Sequence, residues 1–139
     1  MNPKATPEAD AAGLRTLFLE YNSAWNEHQF ERAGEFYAES FLLNGARRDI
    51  PSFRAQIADL IATFPDRDWQ VEHVVVQGDL ICALYTITGT HQGAYDEIQP
   101  TGRKFRTSEI AHYRVADGRI VESWYLFDEA DLKRQLTQP

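Results

Sequence analysis

The chain has 139 residues, 43% of them hydrophobic and 12% aromatic, and a formal net charge of -7. That length fits a single domain large enough to bury a core. The acidic balance argues against a nucleic-acid partner, which would need clustered Lys and Arg to displace counterions from phosphates, and no stretch approaches the roughly 18 apolar residues of a membrane span.

Residues 1–12 carry Pro, Glu and Asp where a signal peptide would have a basic start and an apolar run, so they read as a flexible leader before one domain over 13–139. Leu14, Leu17, Phe18, Tyr21 and Trp25 recur at helical spacing and predict a first helix ending near Asn26. Phe30, Ala33, Phe36 and Tyr37 suggest a short second helix, and residues 40–44 a short strand. Asp49 or Ser52 can cap a third helix near Pro51, with Phe53, Ile57, Leu60, Ile61 and Phe64 on its apolar face and Pro65 as its stop.

From Trp69 the pattern changes to strands. Segments 70–76 and 80–89 flank the turn signal Gln77-Gly78-Asp79, and segments 103–115 and 119–127 flank Ala116-Asp117-Gly118. Asp128 then opens a closing helix over about 129–136. Helices followed by an antiparallel sheet point to an α+β domain, and a curled sheet with helices across one face leaves a concavity for a small molecule. Cys82, the only cysteine, can form no internal disulfide; in its apolar segment it reads as a buried, inert thiol, and a reducing cytoplasm is its simplest home. Neither HExxH nor a Cys-His set occurs, so no metal is expected.

Several segments together resemble the SnoaL-like polyketide cyclases. They are Gly89-Thr90-His91-Gln92-Gly93, Pro100-Thr101-Gly102-Arg103, the run Arg114 to Trp124, Asp128 and Gln135-Leu136, preceded by Ala24-Trp25-Asn26, Phe64-Pro65-Asp66 and the Gly78-Asp79 turn. The resemblance implies a cone-shaped α+β barrel of the nuclear transport factor and ketosteroid isomerase superfamily, with a sheet wrapped around an apolar pocket. It also implies an intramolecular aldol ring closure on a hydrophobic polyketide-like carbonyl compound, without metal or organic cofactor. One carboxylate, matching Asp128, would remove a carbon-bound proton and return it to the new alkoxide. Family members commonly pair through the outer face of the sheet, so a homodimer is expected, with Val121 and Tyr125 as candidate exposed residues. Two alternatives stay open: a non-catalytic binder of lipophilic small molecules, and a lyase or isomerase using the same carboxylate.

An acid/base carboxylate needs a raised pKa in an apolar wall. Trp124 and Leu126 share the alternation of Asp128 on a regular strand and could supply that wall. Asp128 also stands three residues before Asp131, where it can simply cap a helix; Asn would cap as well but cannot move the proton, so the catalytic reading expects Asp128→Asn to be stable and inactive. With a three-residue loop and a bulge at Gly118, His112 shares the face of Trp124 and Asp128 and could polarise a carbonyl; with a two-residue turn, Tyr113 takes that place. His91 lies in a glycine-flanked segment near the expected pocket mouth, to touch substrate or to hold a turn. Many relatives have a histidine where this chain has Leu42-Leu43-Asn44, so Asn44 becomes a candidate orienting residue, able to hydrogen-bond but not to act as a base. Tyr21, Trp25, Tyr85 and Trp124 are candidate aromatic walls of the pocket, with core packing as the other reading of the first three.

Overall fold

Phe18, Tyr21, Ala24 and Trp25 form one buried stripe on the first helix, and burying it is what draws that helix onto the sheet. In the computed structural model, which describes residues 7–138, this helix is α1, Pro7–Asn26. It therefore includes residues 7–12 of the expected leader; residues 1–6 lie outside the described residues. Then follow α2 (Phe30–Gly34), β1 (Tyr37–Leu43), β2 (Ala46–Asp49), α3 (Ile50–Thr63), β3 (Asp68–Gln77), β4 (Leu80–Thr90), β5 (Lys104–Ala116), β6 (Arg119–Phe127) and α4 (Glu129–Thr137). The second helix stops at Gly34, and Tyr37 opens β1 instead of closing a helix.

Strand β2 has no counterpart in the sequence reading. It pairs with β1 through a two-residue turn, Asn44 and Gly45, with φ of 50° and 83°. That is the backbone an Asn-Gly pair accepts most readily in a tight hairpin. Asp49 then caps α3: its carboxylate accepts from the Ser52 amide at 2.9 Å, and Pro51 sits in the first turn, where its missing N–H costs nothing.

The six strands form one curled sheet in the order β2-β1-β6-β5-β4-β3. Strands β1 and β6 run parallel, whereas the other neighbours pair antiparallel as expected. The β5–β6 hairpin closes on the two residues Asp117 and Gly118, both left-handed with φ of 51° and 74°. Val115 lies opposite Ile120 but Arg114 lies opposite Glu122, so Val121 is an extra residue on β6. Beyond this bulge, Ser123, Tyr125 and Phe127 face inward while Trp124 and Leu126 face outward.

The outer face carries two rows across the strands, Val75–Cys82–His112–Trp124 and His73–Leu84–Ile110–Leu126. Cys82 is thus exposed, not buried, because its phase on β4 is the outer one. The outward pair on β6 is Trp124 and Leu126; Tyr125 points into the interior and Val121 is half-buried in the bulge. No helix among the described residues is long and apolar enough to cross a membrane.

Candidate active site

The inner phase of β5 reads Phe105, Thr107, Glu109, Ala111, Tyr113 and Val115, all buried. Glu109 is the charged residue in that apolar series. It opens into a cavity of about 250 Å³ lying between the sheet, α1 and α3. Tyr21, Asn22 and Trp25 enter from α1; Phe53, Gln56, Ile57 and Leu60 from α3; Trp69, Tyr85, Glu109, Tyr113, Tyr125 and Phe127 from the sheet. Arg67 reaches in from the loop before β3, and Tyr95 from the loop after β4.

Glu109 is 7% exposed, and burial pushes its carboxyl up from 4.5 to about 7, against a smaller lowering by the positive charge of Arg67. Arg67 is 6% exposed and burial lowers its guanidinium from its ordinary value to about 10. Its guanidinium centre stands 5.9, 5.0 and 5.6 Å from the ring centres of Phe64, Trp69 and Phe127. Among the described residues no carboxylate lies within 4.0 Å of it, so the two opposite charges of the cavity do not form a direct ion pair.

Away from Arg67 the cavity is floored by the tyrosines Tyr21, Tyr85, Tyr113 and Tyr125, with Tyr37 bonded to two of them outside its lining. Tyr21 and Tyr37 are 2.6 Å apart, Tyr125 stands 3.3 and 3.2 Å from them, and Tyr85 and Tyr113 are 3.0 Å apart. Burial raises all five above the usual phenol value, so each is a neutral donor at ordinary pH. The Tyr85–Tyr113 bond uses one O–H and leaves the other free to donate to a carbonyl oxygen, and better still to its enolate.

Of the expected site residues, Tyr21, Trp25, Tyr85 and Asn44 line this cavity. Asn44 spends its side-chain oxygen on the Tyr125 amide at 2.8 Å, which leaves its NH₂ as the group available at the cavity edge. The structure does not bring Asp128, His112, His91 or Trp124 to the cavity. Asp128 is exposed and caps α4, accepting from the Asp131 amide at 3.0 Å. The bulge at Val121 sets His112 opposite Trp124 even though the turn has two residues, but the face they share is the outer one. Trp124, 45% exposed, therefore dries no carboxylate within the cavity.

His91 is fully buried as a fastener. Its Nδ1 accepts from the Thr101 amide at 3.2 Å and lies 2.9 Å from the Thr101 hydroxyl, and its backbone bonds Arg103 and Gly102. These contacts close the base of loop 91–103. Two charged residues that line the cavity, Glu109 and Arg67, are not among the residues the sequence points to; the signal for Glu109 is a carboxylate on the apolar phase of a long strand. Among the described residues no cluster of three or more His, Cys, Asp or Glu is placed to hold a metal ion.

Comparison with known proteins agrees with this architecture. No curated protein sequence matches the chain. IdmH of Streptomyces antibioticus, a candidate polyketide cyclase, superposes with a TM-score of 0.75 at 28% identity, covering 95% of this chain and 99% of that one. TsrD of Streptomyces laurentii gives 0.82 at 25% identity over 92% and 97%. AclR of Streptomyces galilaeus, a candidate hydroxylase, gives 0.82 at 23% over 93% and 83%, a likeness of fold alone. The family model for SnoaL-like polyketide cyclases matches residues 15–136. Nearly the whole described fold, from the third turn of α1 into the last turn of α4, lies within that match, and the chain belongs to the SnoaL-like polyketide cyclase family.

Proposed function

We propose that this protein is a proton-transfer enzyme of the cyclase or isomerase type, acting on a hydrophobic carbonyl compound held in the cavity, with Glu109 as its acid/base. The observation that carries this reading is a buried carboxylate in the cavity whose burial holds it near neutral pKa, where it can both take and return a proton. Ionised Glu109 removes a proton from a carbon next to a carbonyl: the C–H bond breaks and its electron pair becomes the enolate. Tyrosine hydroxyls donate to the enolate oxygen. In the ring-closing form of the reaction, the enolate carbon attacks a second carbonyl of the same molecule, forming a C–C bond and an alkoxide. Protonated Glu109 returns its proton there, so the site ends as it began.

The test is deuterium uptake from heavy water into a panel of β-keto esters by the wild type, Glu109→Gln and Asp128→Asn. Glu109→Gln is expected to lose about a hundredfold or more of the exchange rate, the usual share of a general base. Asp128→Asn is expected to keep exchange, because Asn caps a helix about as well as Asp. The reverse pattern would return the acid/base role to Asp128. Saturable binding with no exchange in any of the three would favour a binding protein.

The reading extends to assembly as a homodimer. Val75, Ile110, Trp124 and Leu126 are large apolar side chains left exposed together on the outer face, a patch of the kind that a second copy covers.

A further inference from the structure

We infer that the substrate of this cavity carries a carboxylate, and that Arg67 is the residue that binds it. This rests on the cavity being the substrate site proposed above, and it narrows the substrate class from carbonyl compounds in general to keto acids.

Arg67 is buried to the extent of a core residue, yet its Nε–H has no hydrogen-bond partner. A buried charged donor left without an acceptor costs more than an ordinary unmade hydrogen bond. Phe64, Trp69 and Phe127 hold the guanidinium in place, but rings do not accept its in-plane N–H groups as an oxygen would. Glu109, the carboxylate across the cavity, does not close on it within 4.0 Å. A planar, singly charged anion meets the forked donors two at a time, and its charge balances that of Arg67. A phosphate would bring a second negative charge beside Glu109.

The order of groups along the sheet fixes how such a molecule lies. Glu109 is opposite Phe127 on β6, which touches Arg67, and opposite Tyr85 on β4, whose hydroxyl meets that of Tyr113. Tyr113 stands four residues further along the same face of β5, its backbone about 13 Å away at the usual strand rise, but its hydroxyl lies 3.0 Å from that of Tyr85, the residue opposite Glu109. The carboxylate end thus goes to Arg67, the ketone to the tyrosines, and the acidic C–H between them to Glu109.

The experiment is calorimetric titration of the wild type, Arg67→Met and Arg67→Lys with 4-oxo-4-phenylbutanoate and with its methyl ester, alongside deuterium exchange into both. The wild type is expected to bind the acid at least about tenfold more tightly than the ester, the span of one charged hydrogen-bonded contact. Arg67→Met is expected to lose that preference while still binding the ester, and Arg67→Lys to keep part of it. Equal wild-type affinities for acid and ester, or an unchanged preference in Arg67→Met, would overturn the inference. Preference for the acid without exchange would support the Arg67 subsite while removing the proton-transfer reading. Exchange at equal affinities would do the opposite.

Discussion

At the scale of single residues, Glu109 gives a stability signature that needs no substrate. Its folded pKa of about 7 lies above the 4.5 of an exposed glutamate, so between those values the folded protein holds a proton that the unfolded chain has released. Stability from this group is therefore fully present below about pH 4.5 and is lost as pH rises through about 7. The shift corresponds to about 3 kcal/mol as an order of magnitude. Glu109→Gln removes the titration, and its melting temperature relative to the wild type is expected to rise by several degrees between pH 5 and pH 8; a constant difference across that range would mean that Glu109 titrates like an exposed acid. Arg67 gave no such warning in the sequence, since between Asp66 and Asp68 it reads as one more solvated charge. Its burial is completed by a ring that comes from 60 residues further along the chain, Phe127, which joins the neighbouring Phe64 and Trp69 around the guanidinium.

Among the elements, the long strands were legible because their side chains alternate, and the helices because their apolar residues recur every three or four positions. Strand β2 was not, because Ala46-Arg47-Arg48-Asp49 buries none of its side chains and so has no apolar phase to read. The Asn44-Gly45 pair that makes its turn was the only local cue. Asp128 keeps the alternation of Trp124 and Leu126, but the bulge at Val121 sets that phase of β6 on the outer face, so the three form no wall of the cavity. Loop 91–103 depends on a close approach: the Gln92 and Gly93 amides both donate to the Thr63 carbonyl, at 2.9 and 3.0 Å. A Cβ on Gly93 would stand 2.9 Å from the Thr63 Cα and 3.1 Å from the Ala62 carbonyl oxygen, backbone that cannot rotate aside. Gly93→Ala is expected to cost about 1–3 kcal/mol, the usual penalty of overpacking, read as a lower thermal midpoint. An unchanged midpoint would show that the loop yields freely.

For the whole molecule, the sheet separates two kinds of surface by a single layer of backbone. Inward lie the carboxylate, the guanidinium and the hydroxyls; outward lies the patch of Val75, Ile110, Trp124 and Leu126. If a second copy covers that patch, Leu126, 75% exposed, is its most exposed side chain, and a charge introduced there would be buried against the partner. Light scattering at micromolar concentration is expected to give a dimer for the wild type and a monomer for Leu126→Glu, with the deuterium-exchange activity of the monomer tracking the intact cavity. A wild-type monomer would sink the dimer. The extra residue at Val121 bears on both surfaces at once. Every residue of β6 after it has its register set by how that residue is accommodated: as an extra residue it leaves Trp124 opposite His112 on the outer face, whereas pairing it with Arg114 would bring Trp124 opposite Ala111 on the inner one. Drawing Val121 into the ladder, unlike the change of any single wall residue, would trade the contents of the cavity for those of the exterior, whereas losing it would only straighten the strand.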